Sequence, residues 1–337
     1  MGAMPKNRFY SGPVSDHFDG TRFHNPGQGR VDRRFADLLK WQFSGERARW
    51  PAAVPVTPAV PAPRVDGLRA TMVGHATVLI QVAGLNVLTD PVFSPRMSPV
   101  GFAGPKRVSE PGIRFDDLPP IDVVLLSHDH YDHCDIATLS RLMKRDRPRV
   151  VTALGNDVLL QRAVPGIDVV AGDWGDSFPL DRRRRSNGAG GATVDLVPAQ
   201  HWSRRRISDT RMRLWCGFVL RAGGSTVYFV GDSGFGDGAI FRKVRAGFGA
   251  PDLALIPIGA YAPRWFMQPQ HMDPEEAAAV FADLGAAQAV AIHWGTVQLT
   301  DEPFGEPPAR LREALDARGI APERFRTLSP GESLDAA

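Results

Sequence analysis

The segment Leu126-Ser127-His128-Asp129-His130-Tyr131-Asp132-His133 constrains this chain more than any other. It follows the apolar run Val123-Val124-Leu125-Leu126, which reads as a buried strand. Alternate residues of an extended segment project to one side, so His128 and His130 can grip one ion. Asp132 and His133 come a few residues later, where a helix is predicted to begin, and can turn toward a second ion. Imidazole and carboxylate together suit zinc and similar borderline cations. Four ligand-type residues within six positions imply a metal centre at the end of a strand.

Three later stretches repeat the arrangement. Gln200-His201-Trp202 follows the strand-like run 193–197, Gly231-Asp232-Ser233-Gly234 follows 226–230, and His293-Trp294-Gly295-Thr296 follows 288–291. Each places a ligand-type residue just past the C-terminal end of a β-run, where loops can converge on one edge of a sheet. Each is weak evidence alone. Behind the first cluster, and in this order, they form a set.

That order, H-x-H-x-D-H then His, Asp and His, resembles the metallo-β-lactamase superfamily of binuclear hydrolases. More narrowly, the chain is similar to the N-acyl-phosphatidylethanolamine-hydrolysing phospholipase D family and its bacterial relatives. The similarity rests on Gly74-His75-Ala76-Thr77, Leu88-Thr89-Asp90-Pro91, Gly104-Pro105-Lys106-Arg107, Gln200-His201-Trp202 and Ala291 to Thr296. Its most specific stretch is Pro257 to Met267 followed by Gln270-His271 and Asp273-Pro274-Glu275-Glu276-Ala277. It runs from about His17 to Glu332.

The resemblance implies two divalent ions, zinc foremost, with manganese or iron as alternatives. It assigns His128, His130 and His201 to one ion, Asp132, His133 and His293 to the other, and Asp232 as the bridge. Paired ions about 3.5–4 Å apart can share a hydroxide that attacks phosphorus, so no Ser or Cys nucleophile is needed. Asp132 and Asp232 thereby belong to the catalytic apparatus. His271 is the candidate that protonates or stabilises the leaving oxygen. His75 and Asp90 are expected behind the ligands, orienting them. Trp202, Tyr261, Trp265, Phe266 and Gln270 are candidates for holding substrate, with Trp265-Phe266-Met267 as a wall for acyl chains; Trp294 is expected in the core. The implied activity is hydrolysis of a lipid phosphodiester such as N-acyl-phosphatidylethanolamine. A lactonase of the same superfamily is the enzymatic alternative, and a non-catalytic metal-binding scaffold the alternative from another class.

Along the chain, strand and helix signals alternate without a long linker after residue 65. This predicts one catalytic domain over 66–337, preceded by a 1–65 extension whose Pro51 to Pro63 stretch reads as a semi-rigid linker. Two β-rich series, each followed by helices, predict two sheets packed face to face with helices outside. The expected fold is a four-layer αβ/βα sandwich, mixing α+β and α/β character, with an N-terminal extension. Asp273-Pro274-Glu275-Glu276 reads as a cap, a first-turn proline and acids that suit the helix dipole.

Charge adds little: 40 Lys and Arg against 37 Asp and Glu give +3, too balanced to argue for nucleic acid. Two cysteines make no disulfide framework and fit a reducing, cytoplasmic setting. Cys134 reads as a packing residue. No apolar run reaches the roughly 18 residues of a membrane span, so contact with the inner membrane face would be peripheral. Arg182 to Arg185 reads as a solvated hairpin tip, whereas Arg204-Arg205-Arg206, just after His201, could meet a phosphate or an anionic lipid surface. A monomer and a homodimer are both compatible with the sequence.

Overall fold

The computed structural model describes residues 6–27, 35–43, 47–180 and 191–336. The run Arg182 to Arg185 lies outside them. One mixed sheet holds β1 (Leu68–Gly74), β2 (Thr77–Val82), β3 (Leu85–Thr89), β4 (Val123–Leu126), β5 (Arg149–Ala153) and β6 (Asp168–Gly172). The other holds β7 (Ser177–Pro179), β8 (Thr193–Val197), β9 (Gly217–Ala222), β10 (Ser225–Phe229), β11 (Leu253–Pro257), β12 (Gln288–Ile292) and β13 (Phe325–Arg326). β14 (Ser333–Ala336) returns to pair antiparallel with β1 at the edge of the first sheet. β3 to β6 run parallel to one another, as do β10 to β13.

The layering follows from strand parity. Along β4, Val123 and Leu125 enter the core between the sheets, while Val124 and Leu126 face outward. Along β11, Leu253 and Leu255 point inward and Ala254 and Ile256 outward. Because both faces of these strands are apolar, both must be covered. Among the described residues, α1 (Phe35–Gln42) precedes the sheets, and α2 (Ile136–Arg145) and α3 (Asn156–Ala163) follow strands of the first sheet. α4 (Ala239–Phe248), the short α5 (Arg264–Met267), α6 (Pro274–Leu284) and α7 (Glu306–Asp316) follow strands of the second. α2 and α3 pack on the outer face of the first sheet, and α4, α6 and α7 on that of the second. This is the αβ/βα sandwich. Asp273 caps α6 in a capping box with Glu276, and Pro274 fills the first turn.

The structure moves one helix start and adds contacts to the Pro51 to Pro63 stretch. Asp135, not a residue of the metal cluster, caps α2 by accepting from the amides of Ala137 and Thr138. Asp132 and His133 therefore lie in the turn ahead of the helix. The Pro51 to Pro63 stretch is a strap, because its backbone bonds to the loop between β3 and β4 and to Asn86 of β3. Val54 N donates to Val108 O, Ala59 N to Gly112 O, and the Asn86 amide to Pro63 O. Further upstream, Phe18 and Phe23 are fully buried in the core between the sheets. No helix among the described residues is long and apolar enough to cross a membrane.

Candidate metal centre

The polar residues singled out by the sequence meet at one rim of the sandwich. Asp90 follows β3, His128 to His133 follow β4, His201 follows β8, Asp232 follows β10 and His293 follows β12. Four of the surrounding non-glycine residues adopt left-handed backbone: His75, Asp90, Ala260 and His293, with φ of 57°, 32°, 61° and 61°. Such residues cost about 1–3 kcal/mol each and persist where the surrounding structure over-determines them. The loops also approach closely. A Cβ on Gly259 would lie 2.1 Å from His293 O, and one on Gly231 would lie 3.0 Å from Ser127 Cβ. Only glycine allows the first contact.

Asp232 is the hub. Its Oδ2 lies 3.1 Å from His133 Nε2, 3.2 Å from His293 Nε2, 3.7 Å from His201 Nε2, 3.9 Å from His128 Nε2 and 3.9 Å from His271 Nδ1. To one side, His130 Nδ1 lies 2.9 Å from His128 Nε2 and 3.2 Å from His201 Nε2. To the other, Asp132 Oδ2 lies 3.1 Å from His75 Nε2 and 3.4 Å from the Nε2 atoms of His133 and His293. His75 thus touches Asp132 directly, beside the ligand candidates.

The protons on these rings are set from behind. His133 Nδ1 donates to Asp90 Oδ2 over 2.6 Å, and His201 Nδ1 donates to Gln270 O over 3.0 Å. Ser127 Oγ gives its own proton to Asp90 Oδ2 (2.6 Å) and can accept from His128 Nδ1 (2.9 Å). Each partner holds a proton on Nδ1 and turns Nε2 toward Asp232. Sequence reasoning identified Asp90 but missed Ser127 and the Gln270 carbonyl. Ser127 precedes the first histidine, a position that could have drawn attention.

Burial pushes His75 down to about 4 and His130 and His201 to about 3, and drives His128 and His271 well below the usual imidazole range. Burial also opposes charge on His133 and His293, yet the nearby carboxylates prevail. Asp232, Asp132 and Asp90 raise His133 well above its ordinary value, and Asp232 and Asp132 bring His293 to about 9. In turn, burial would raise Asp132 and Asp232, but His133 above all holds both well below the carboxylate range.

These residues fit a metal centre. His133 Nε2, His293 Nε2, His271 Nδ1 and Asp232 Oδ1 are buried without a hydrogen-bond partner. His128 and His201, with their protons on Nδ1, both present Nε2 acceptors to His130 Nδ1 over 2.9 and 3.2 Å, where a single proton serves one of them well and a cation could serve all three. Four overlapping groups of side chains could hold an ion: His128 with His130 and His201, His75 with Asp132, His133 and His293, Asp90 with His128 and His133, and His201 with Asp232 and His271.

The pocket candidates divide. Trp202 stands edge-on to His130, with ring centroids 4.8 Å apart, and Trp265 is 42% exposed. Phe266 is buried, with its ring 5.0 Å from that of Trp41 on α1. Tyr261 points elsewhere, because its buried hydroxyl donates to Glu306 and Arg310 lies over its ring. The Gln270 side chain turns to Met267 Sδ, so this residue meets the centre through its carbonyl. Trp294 is partly buried against the helix-facing core and donates to Ala291 O. In the basic run, Arg205 is committed to the carbonyls of Asp129 and Cys134 and lies over Tyr131. Arg206 caps the turn ending at Asp209, and Arg204 lies over Trp202. Cys134 is fully buried in the outer core of the first sheet.

Known proteins resemble this chain in sequence and in fold. The Beta-lactamase superfamily domain matches residues 85–294. The chain belongs to the metallo-β-lactamase superfamily. Within this superfamily, it is 38% identical over 279 residues to N-acyl-phosphatidylethanolamine-hydrolyzing phospholipase D 1 of Caenorhabditis elegans, covering 80% of this chain and 76% of that protein. A mitochondrial N-acyl-phosphatidylethanolamine-hydrolyzing phospholipase D of Saccharomyces cerevisiae is 32% identical over 253 residues, 74% of this chain and 52% of its own. An isothiocyanate hydrolase from Delia radicum gut bacteria superposes with a TM-score of 0.60 at 23% identity, covering 80% of this chain and all of that one, and shares the fold. As a metallo-β-lactamase-superfamily member with these relatives and this ligand set, the protein is a metal-dependent hydrolase.

Proposed function

We propose that this hydrolase cleaves a lipid phosphodiester of the N-acyl-phosphatidylethanolamine type, with phospholipase D regiochemistry, using two divalent ions, zinc foremost. The observation that carries the two-ion reading is the position of Asp232. One carboxylate oxygen lies within 3.9 Å of imidazole nitrogens from both ligand groups while the other has no partner. A carboxylate is the side chain with two oxygens for two ions. His128, His130 and His201 would hold one ion, and Asp132, His133 and His293 the other. Bound there, the ions would supply an activated water and neutralise charge on the phosphoryl oxygens.

The remaining work falls to the chain. His133, His201 and His128 keep their protons on Nδ1, fixed by Asp90, Gln270 O and Ser127. His271 is the most open imidazole beside Asp232, its side chain 11% exposed against at most 1% for His128, His133, His201 and His293. Burial keeps it neutral, so its N–H can donate to the leaving oxygen as charge develops there. Exposed Trp265, with Lys40 of α1 over its ring, and the exposed Leu38, Leu39 and Phe43 in and just after the same helix support an apolar tail on the substrate.

Elemental analysis of protein purified without added metal should give about two equivalents, and Asp232→Asn should lose an ion and nearly all activity. A lipid panel read by mass spectrometry should show a phosphatidic acid product. One equivalent after metal supplementation would end the two-ion reading, and turnover of lactones alone would end the phosphodiesterase reading.

A further inference from the structure

The loop bearing His201 is gripped from a direction that the ligand pattern does not suggest. Residues 6–27 lie far upstream of the stretch matched by the superfamily domain, which starts at residue 85. Yet this segment is built into the catalytic unit. Phe18 and Phe23 enter the core between the sheets, Phe23 N donates to Arg211 O, and the Asn7 amide donates to Thr21 O and Met212 O. At its end, buried Asn25 donates through Nδ2 to the backbone carbonyl of His201 over 2.9 Å. The Asn25 oxygen accepts from Trp215 Nε1 over 3.2 Å, sharing that hydrogen with Ala199 O at 2.8 Å, which orients the amide. His201 is then held on three sides. Ser233 Oγ and Gly234 N secure the preceding residue, Gln270 O holds the ring, and Asn25 holds the carbonyl.

We propose that Asn25 is a positioning residue of the metal centre, setting His201 against the ion that it shares with His128 and His130. The inference rests on the two-ion assignment above. The carbonyl of His201 is buried with its residue, so removing the amide N–H leaves it without that donor, and the loop must shift to find another. A shift of the His201 backbone moves Nε2 relative to His130 Nδ1, now 3.2 Å away. Groups that orient metal ligands change metal affinity by about 10- to 100-fold when replaced. Asn25 touches neither Asp132, His133 nor His293, so the second ion should not respond.

The test uses the full-length zinc-loaded protein and measures zinc affinity by competition with a chromogenic chelator, with release rates and thermal unfolding in parallel. Asn25→Asp keeps the size and the oxygen facing Trp215 but removes the N–H donor, and Asn25→Ala removes it without adding charge. Asn7→Asp is the matched control, because it removes amide donation from the same segment without touching His201. The expected result is one zinc weakened about 10- to 100-fold in both Asn25 variants with the other unchanged, while Asn7→Asp lowers the unfolding temperature but binds both as wild type does. Should Asn25→Asp fail to fold, Asn25→Ala carries the comparison. Unchanged affinity for both ions in the Asn25 variants would overturn the proposal. So would equal weakening of both ions in the Asn25 and Asn7 variants, which would mean that the segment merely supports the fold. Wild-type stoichiometry, read first, tests the two-ion assignment separately; with one equivalent bound, the same comparison is made on that ion.

Discussion

Asp90→Asn tests whether the metal centre depends on proton placement rather than on ligand identity alone. Asp90 is fully buried and accepts three hydrogen bonds: from Ser127 N (2.7 Å) on Oδ1, and from Ser127 Oγ (2.6 Å) and His133 Nδ1 (2.6 Å) on Oδ2. The backbone N–H of Ser127 can only donate, so an asparagine oxygen must stay at Oδ1. The new amide nitrogen then faces His133 Nδ1, donor against donor. The ring relieves this by moving its proton to Nε2, the atom 3.1 Å from Asp232 Oδ2, and thereby loses its lone pair for metal. Losing a charge-assisted hydrogen bond costs about 1.5–3 kcal/mol, which corresponds to about 10- to 100-fold in affinity. Burial already raises the Asp90 carboxyl above its usual range, so a neutral side chain relieves a desolvation cost and the metal-free fold should lose less than the loaded one. Zinc titration by chelator competition and unfolding temperatures with and without zinc provide the readout. Wild-type zinc affinity in a folded Asp90→Asn protein would refute the proton-placement argument.

His271→Ala should keep both ions and lower kcat by about 10²–10⁴-fold on lipid substrates, with a smaller deficit on bis(p-nitrophenyl) phosphate, whose leaving group needs no donor. Equal deficits on both substrates would assign His271 to substrate positioning. Trp265→Ala should raise KM for long-chain substrates with little loss of stability, whereas Phe266→Ala, which removes a ring packed against Trp41, should cost about 3–5 kcal/mol in denaturant unfolding. Similar stability losses in the two would show that Trp265 is core. His133 and His293 are raised, the latter to about 9, so the metal-free site carries their protons at neutral pH and zinc must displace them. Apparent zinc affinity should therefore climb with pH up to about 9, and calorimetry in buffers of different ionisation enthalpy should detect proton release near neutral pH; heat independent of buffer would contradict the assigned protonation.

Much of this site was legible in the sequence because strands report their own ends. The parity of Val123 to Leu126 and of Leu253 to Ile256 places each strand between two apolar layers, and the first polar residues after such a run must emerge at a rim. His128, His201, Asp232 and His293 are found in this way. What parity does not reveal is which side chain a distant segment will cover. Trp265 and Phe266 are neighbours of similar chemistry, yet Trp41 lies against one and Lys40 over the other. Tyr261 sits in the most distinctive stretch of the chain, but Glu306 takes its hydroxyl and Arg310 its ring face. Arg205 follows His201 closely enough to suggest an anion site, but carbonyl oxygens of the first metal cluster already occupy it. In each case the deciding partner comes from another element, and local pattern carries no record of it.

The left-handed residues show why the centre forms at this rim. A strand that simply continued would keep alternating its side chains between the two faces. His75, Asp90 and His293 depart from the extended path at the strand ends, which directs their side chains into the space between the sheets' edges. Glycine would adopt that backbone with less strain but could neither orient nor bind an ion. The cost of about 1–3 kcal/mol per residue is therefore retained for the side chain alone. Gly259 occurs where the demand is opposite, since the close approach of His293 O leaves no room for a Cβ, while Gly231 combines a left-handed backbone (φ 66°) with a tight approach to Ser127. Side chains are kept at strained positions that face the centre, and glycines stand where loops of different strands must touch.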